Sequence, residues 1–136
     1  MPVIESKIMI NSESFKKNQE DHQKLIDEIR TLEQKIADNS ARSKAKFDKR
    51  GQLLPRERLK RLLDPGSFWL PLSTLAGYKI GDDDGDKNIG WGNSISGIGY
   101  VAGVRCMIGV SDAGIKGGSA SAMGTEKALR LSLIHI

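Results

Sequence analysis

A single cysteine, few aromatic residues and short apolar runs set the first limits on this chain. Cys106 has no second cysteine with which to pair, so an internal disulfide is excluded and a reducing, cytoplasmic location is expected. No apolar run approaches the roughly 20 residues of a membrane-spanning helix. Aromatic residues make up 5% of the chain, and only Phe47 lies in its most basic segment. Single-stranded nucleic acid would therefore find no row of stacking surfaces there.

Positive charge is concentrated in one segment of the chain. Residues 42–61 carry nine Lys or Arg and two Asp or Glu, a net charge of +7, whereas all 136 residues together carry +4. Such a segment binds the phosphates of nucleic acid, binds those of a nucleotide-like ligand such as coenzyme A, or is a solvated helix face. Composition leaves these interpretations open, and nucleic acid ranks last among them.

A long amphipathic helix is predicted from about Ser12 to Asp38. Ser12 suits the N-cap, and Glu13 suits the first turn beside the positive end of the helix dipole. An apolar stripe at heptad-like spacing runs through the helix and consists of Leu25, Ile29, Leu32 and Ile36. A narrow stripe of this kind must pack on the helix's own domain or on a sister subunit. The polar segment 39–46 that follows is predicted to be a linker.

Three short motifs suggest ligand sites that their sequence context does not support. Aspartates alternate through residues 82–86 as in a calcium loop, but the required glycine and closing glutamate are missing. Residues 97–102 match the dinucleotide fingerprint, yet a strand pattern follows where a phosphate-binding helix should open. Gly124 belongs to no complete Walker A loop. We predict neither a metal site nor a nucleotide fold from these motifs.

The segment from Arg50 to Phe68, RGQLLPRERLKRLLDPGSF, carries the most distinctive pattern. Pro55 suits the first position of a helix, because its φ is fixed and it has no N–H to donate. The leucines of this helix fall on one face. The Asp-Pro-Gly of residues 64–66 then ends it.

After this helix the sequence changes from helical to β character. Segment 68–78 is apolar and contains a proline, which predicts an edge strand or an extended segment. Segment 95–111 predicts a β-hairpin that turns at residues 102–103, with alternate apolar residues buried on one face. A glycine pair at 117–118 follows the hairpin, and a helix is predicted to open near Ala122 with Glu126, Lys127 and Arg130 facing outward.

Two of these segments resemble one protein family. RGQLLPRERLKRLLDPGSF resembles the N-terminal signature of the carboxyltransferase (β) subunits of biotin-dependent acyl-CoA carboxylases, the group of the propionyl-, methylcrotonyl- and geranyl-CoA enzymes. GIGYVAG and SDAGIKGGS, within residues 97–119, resemble a second block of the same family in the same order. The resemblance covers residues 12–130. It implies an α/β fold, a partial crotonase-like domain of ββα repeats preceded by a long N-terminal helix.

The resemblance also implies a reaction. In these subunits the N-terminal domain binds acyl-CoA and the C-terminal domain binds carboxybiotin, whose carboxyl group passes to a thioester carbon made nucleophilic as an enolate. Backbone N–H groups stabilise the enolate oxygen. Biotin is carried by a partner, the biotin carboxylase/biotin carrier α subunit, and the full-length β subunits form a homo-oligomer. Nucleic acid, a membrane and a metal in this chain are not expected.

Six site residues follow from the resemblance. Gly117 and Gly118 are assigned to a backbone oxyanion hole. Coenzyme A binding is assigned to Lys116, Ser119, Arg50 and Arg56. The family's second oxyanion loop has no counterpart in this sequence.

The expected organisation has three parts. Residues 1–46 are the N-terminal helix and linker, and residues 47–130 are the start of a truncated acyl-CoA-binding domain. Residues 131–136, LSLIHI, are predicted to be sequencing-adapter read-through, because adapter codons encode this hexapeptide. We expect the fragment alone to be inactive and to aggregate through exposed apolar edges.

Two other functions remain open from the sequence. The apolar stripe is compatible with a helical protein-interaction module, and residues 42–61 are compatible with a basic nucleic-acid-binding domain. Saturable binding of CoA thioesters would favour the carboxylase. Tight, salt-sensitive RNA binding without CoA affinity would favour the nucleic-acid binder.

Overall fold

The structure, a computed structural model, describes residues 6–81, 83, 85 and 93–133. Its elements in chain order are α1 (Glu13–Ala41), α2 (Lys44–Asp48), α3 (Pro55–Leu62), β1 (Leu70–Pro71), β2 (Ser94–Val101), β3 (Val104–Ser111), a short 3₁₀ turn (Lys116–Gly118) and α4 (Ala122–Leu133). The chain divides into two compact units, residues 1–32 and 33–136. The alternating aspartates of residues 82–86 lie outside the described residues.

The first unit contains the N-terminal part of α1. The Ser12 hydroxyl accepts a hydrogen bond from the Phe15 backbone N–H at 3.2 Å, which confirms Ser12 as the N-cap. Leu25 and Ile29 of the predicted stripe are 55% and 43% exposed. This half of the stripe therefore presents an apolar face to solvent.

The second unit shows that the predicted linker at residues 39–46 is wrong, since α1 and α2 occupy most of that segment. Ile36 packs against Ile115, and both side chains are buried. The Ser40 hydroxyl donates to the buried Asp112 carboxylate at 2.6 Å. The polar composition that indicated a linker thus reflects hydroxyl groups that make buried hydrogen bonds.

Helix α3 begins at Pro55, as the sequence predicts. The Glu57 carboxylate accepts a hydrogen bond from the Leu54 N–H at 2.9 Å, so one backbone donor at the helix start is satisfied by a side chain. Leu59 is 6% exposed and faces the sheet. The helix therefore supplies one wall of the hydrophobic core.

The sheet has three antiparallel strands in the order β1-β2-β3. Strands β2 and β3 form the predicted hairpin, with the turn at residues 102–103 and Gly97 opposite Ile108. The short strand β1 lies at one edge beside β2, so the edge-strand prediction for segment 68–78 is confirmed at residues 70–71, whereas turns occupy residues 74–79. Strand β3 is the other edge.

One side of the hairpin, called the first face, packs on α3 and on the segment that precedes β1. Its core consists of Leu59, Ile95 and Ile108, with Leu63, Trp69, Val101, Cys106 and Val110 packed against them. Val104 was predicted to be buried with this set but is 62% exposed. It directly follows the turn at residues 102–103, so the buried part of the alternating pattern begins one alternate position later, at Cys106.

Gly97 and Gly99 are required by close packing on the first face. A Cβ atom at Gly97 would lie 2.4 Å from the Leu70 carbonyl oxygen and 2.5 Å from the Trp69 ring. A Cβ atom at Gly99 would lie 2.4 Å from the Leu63 side chain. The spacing that mimics a dinucleotide fingerprint therefore accommodates an indole ring, and its rejection as a nucleotide motif agrees with the fold.

The Asp64 carboxylate holds the hairpin turn. Its two oxygens accept hydrogen bonds from the backbone N–H groups of Ala102 and Gly103, at 2.7 and 2.8 Å. The Asp64 N–H in turn donates to the Tyr100 carbonyl at 2.9 Å. Asp64 therefore ends α3, as the sequence indicates, and also joins this segment to the tip of the hairpin.

Candidate functional site

The predicted oxyanion-hole segment forms a tight turn between β3 and α4. Lys116, Gly117 and Gly118 have φ angles of 45°, 67° and 78°, three consecutive residues in the left-handed region. Two glycines make such a run accessible at little steric cost, whereas Lys116 carries a side chain in this conformation. We call residues 116–119 the glycine turn.

The amides of the glycine turn are not equally available. The Gly118 N–H donates to the Ile115 carbonyl at 2.9 Å, and the Ser119 N–H donates to the Lys116 carbonyl at 3.3 Å. No hydrogen bond from the Gly117 N–H is seen within the described residues, and Gly117 is exposed. Of the two predicted oxyanion-hole glycines, Gly117 is thus the one whose amide is open to a ligand.

Buried hydrogen bonds fix the residues that lead into the glycine turn. Asp112 is 2% exposed, and its carboxylate accepts from the Gly114 N–H as well as from Ser40. The Ser43 hydroxyl donates to the Gly114 carbonyl at 2.8 Å. The helices at residues 33–48 therefore brace the start of this segment through side-chain hydroxyls.

The other side of the hairpin, the second face, lines a cavity beneath α4. The cavity has a volume of about 530 Å³. Small side chains create the space, because Ser96 lies opposite Gly109 on the strands and Ala128 lines the cavity from α4. Gly118 and Ser119 border the same cavity. The glycine turn thus joins an apolar cavity large enough for part of a small ligand.

The predicted coenzyme A residues do not converge on this cavity. Only Ser119 lines it, whereas Arg50, Arg56 and Lys116 do not. Arg50 is exposed just after α2. Arg56 lies in the first turn of α3 with its Nε and Nη2 atoms buried. The structure leaves Arg50, Lys116 and Ser119 at the surface.

Lys127 is a buried cation that the sequence prediction missed. It is 4% exposed, and its Nζ donates to the Ser94 carbonyl at 2.7 Å. Burial, and to a smaller extent the positive charge of Arg56, lower the pKa of Lys127 from 10.5 to about 8. The helical pattern placed Lys127 outward, and nothing in the sequence indicates that α4 turns this residue toward β2.

The described residues show neither a metal-binding cluster nor a membrane-spanning helix. In residues 6–81, 83, 85 and 93–133, no group of three or more His, Cys, Asp or Glu is placed to hold a metal ion. None of the described helices combines the length and apolar character needed to cross a bilayer.

The carboxyl transferase domain family matches residues 46–136, a stretch that includes α3, the hairpin, the glycine turn and α4. The chain belongs to this family. The resemblance seen in segments 50–68 and 97–119 is thereby confirmed.

Individual relatives of this carboxyl transferase domain support the same family. The chain is 41% identical over 112 residues to the biotin-dependent 3-methylcrotonyl-coenzyme A carboxylase beta1 subunit of Mycobacterium tuberculosis, covering 82% of this chain and 20% of that protein. It is 36% identical over 121 residues to the methylcrotonoyl-CoA carboxylase beta chain of Arabidopsis thaliana, covering 88% and 20%. The chain spans about a fifth of the length of these relatives.

A solved structure supports the fold of the carboxyl transferase domain. The beta subunit of P. aeruginosa geranyl-CoA carboxylase matches 98% of this chain with a TM-score of 0.82 and 48% sequence identity. The match covers 24% of that subunit. The predicted α/β fold of carboxyltransferase, crotonase-like type is confirmed.

Proposed function

We propose that this chain forms the acyl-CoA-binding start of a carboxyltransferase subunit, which transfers a carboxyl group from carboxybiotin to an acyl-CoA. The glycine turn carries the proposal. It lies inside the matched family domain, holds three residues with positive φ and leaves the Gly117 amide open. A turn of this form can direct a backbone N–H at an oxygen atom on which negative charge develops.

The chemistry assigned to this chain is stabilisation of an enolate. Removal of a carbon-bound proton from the acyl thioester leaves negative charge on the thioester oxygen, and the Gly117 N–H donates to that oxygen. The proton ends on the biotin nitrogen that gives up the carboxyl group. Gly118 remains a candidate donor, but its amide would have to leave the Ile115 carbonyl. Carboxybiotin supplies the carboxyl group, and we assign its binding to protein outside this chain.

The acyl group we propose is branched or terpenoid. Relatives of this chain are named for 3-methylcrotonyl-CoA and geranyl-CoA, and the cavity beneath α4 is apolar enough to take such a chain. Lys116, Ser119 and Arg50 are the proposed contacts for coenzyme A, since each is exposed. Arg56 is less suited to this role because much of its guanidinium is buried.

The proposal includes partners and a location. Biotin would arrive on a biotin carboxylase/biotin carrier α subunit, and the β subunits would associate with one another. The exposed Leu25 and Ile29 favour a helix face that contacts another protein, which is also the observation behind the alternative of an interaction module. The single free thiol of Cys106 supports a cytoplasmic location.

A chimeric β subunit tests the proposed function. Residues 1–130 of this chain would replace the segment that they match in the P. aeruginosa geranyl-CoA carboxylase beta subunit, and the chimera would be assembled with that enzyme's biotin-carrying partner. We expect carboxylation of geranyl-CoA or 3-methylcrotonyl-CoA, and saturable binding of the same thioesters by isothermal titration calorimetry.

The unmodified P. aeruginosa enzyme is the control for assembly and assay. A folded, assembled chimera that binds no acyl-CoA would contradict the proposal. Tight RNA binding that weakens steeply with salt, together with absent thioester binding, would favour the nucleic-acid alternative instead.

A further inference from the structure

Asn93 occupies an unusual backbone position beside the glycine turn. It precedes β2, is 7% exposed and has a φ of 54°. A residue other than glycine rarely adopts this left-handed conformation, although asparagine tolerates it better than most. The surrounding contacts must therefore hold Asn93 in place.

Asn93 contacts both ends of the segment that contains the glycine turn. Its backbone carbonyl accepts a hydrogen bond from the Asp112 N–H at 2.9 Å. Its side-chain amide donates to the Ser119 carbonyl. One residue thus closes residues 112–119 into a loop from opposite ends.

Hydrogen bonds inside this loop connect its first residue, Asp112, to the glycine turn. The Ile115 N–H donates to the Asp112 carbonyl at 3.0 Å, and the Gly118 N–H donates to the Ile115 carbonyl at 2.9 Å. Gly117 lies between these bonds and makes no such contact of its own within the described residues. The direction of its N–H therefore depends on where the two ends of the loop are held.

We propose that Asn93 is a positioning residue that fixes the Gly117 amide for enolate stabilisation. The catalytic part of this inference rests on the proposed function. The two hydrogen bonds of Asn93 to Asp112 and Ser119, which we call the clamp, rest only on the contacts above. The side-chain bond to Ser119 holds the far end, where no helix of residues 33–48 braces the segment. Asn93 also lines the cavity beneath α4, but its bond to Ser119 does not involve the Gly117 amide, so losing the bond would let the turn move while that donor stays in place.

Two substitutions separate the side chain from the backbone. Asn93→Gly keeps a residue that accepts positive φ and deletes only the amide donor. Asn93→Asp keeps the shape and places a carboxylate oxygen against the Ser119 carbonyl. In the active chimera we expect both to lower kcat by roughly 10- to 100-fold, as for a misplaced catalytic group. KM should change less than threefold, because the lost interaction strengthens only in the transition state.

A second readout does not depend on activity. Deuterium exchange of backbone amides in residues 112–120 should rise by about tenfold in Asn93→Gly, because loss of the clamp allows local opening. Exchange in β2 and β3 should not change. Ser73→Gly is the matched control, since Ser73 has a φ of 52° and is exposed, so this variant relaxes the same kind of backbone away from the turn.

The outcomes distinguish the clamp from the proposed function. Unchanged kcat and unchanged exchange in Asn93→Gly would overturn the positioning role. A loss of activity with exchange raised throughout the chimera would also overturn it, since it would show general destabilisation. An inactive wild-type chimera would defeat the proposed function, and the exchange experiment alone would then decide whether Asn93 holds the turn.

Discussion

The two faces of the β2–β3 hairpin use glycine for opposite reasons. On the first face, Gly97 and Gly99 leave no room for another atom, because the Trp69 ring and the Leu63 side chain lie against them. On the second face, a Cβ atom at Gly109 would meet no atom within 4 Å. Gly97 and Gly99 thus lie in a closely packed interface, whereas Gly109 lies next to open space beside the candidate site.

This difference shows that the hairpin has one closely packed face and one open face beside the candidate site. The first face holds the core formed with α3, whereas the second face borders the cavity and the glycine turn. Substitutions on the two faces should therefore have different consequences. Each of the following predictions tests one part of this division.

The largest effect is expected for Gly97→Ala. The added methyl group would overlap the Leu70 backbone oxygen, which cannot move without shifting β1, so the local free energy of unfolding should fall by about 3 kcal/mol. Gly99→Ala should cost less, because the nearest atom ends a flexible leucine side chain. Native-state hydrogen exchange of β2 amides in the chimera measures both.

Gly109→Ala is the matched control on the second face. We expect a change of about 0.5 kcal/mol or less, since an alanine suits a strand and meets no neighbour. Equal losses at Gly97 and Gly109 would show that the two faces do not differ as described.

An intermediate effect is expected from Lys127, which joins α4 to the start of β2. Its pKa falls from 10.5 to about 8 in the folded chain. Between pH 8 and 10 the folded state releases a proton that the unfolded state keeps, so the free energy of unfolding should rise with pH, by about 2 kcal/mol in total. Below pH 8 both states bind the proton, and the penalty of the buried charge persists.

Thermal unfolding of the chimera at pH 7.5 and pH 10, compared with its Lys127→Met variant, checks this pH dependence. The difference in melting temperature between the two proteins should shrink or reverse as the pH rises, because methionine has no proton to release. A difference that does not vary with pH would mean that Lys127 is not buried as a cation.

The smallest effect is expected at the tip of the hairpin. Asp64→Ala removes the acceptor of two backbone N–H groups, at Ala102 and Gly103, and should cost about 1.5 kcal/mol. Asp64→Asn should cost less, because the amide oxygen can still accept one bond. Hydrogen exchange at residues 102–103 should rise in both variants, while the glycine turn should be unaffected. Faster exchange in the glycine turn would show that the two ends of the hairpin are coupled.

The sequence predicted the elements whose signals are local. Pro55 marked the start of α3, and alternation with an Ala-Gly turn marked the hairpin. Family resemblance then supplied the fold, although the position of Gly117 in an oxyanion hole stays a prediction. These elements and the family could thus be predicted from the sequence alone.

The remainder depends on contacts between distant residues. Ser40 and Asp112 are 72 residues apart, so the serines of segment 39–46 looked like a linker. A helical pattern assigns the charges of Arg56 and Lys127 to solvent, and only the packing of α3 and α4 shows that Lys127 and two nitrogen atoms of Arg56 are buried. Asn93 gave no periodic or motif signal. Asparagine tolerates the positive φ that this position has, but only the backbone of the folded chain shows that φ is positive here.

The contact of Trp69 with Gly97 and Gly99 bears on how sequence databases are searched by motif. Two residues along a strand span about 6.6 Å, a length similar to that of an indole ring, so one tryptophan lying flat on a strand selects glycine at i and i+2. A G-x-G pattern can thus be the footprint of an aromatic side chain from an earlier segment of the same chain. A scan that also requires the residues after the glycines to favour a helix would discard such footprints and keep true phosphate-binding turns.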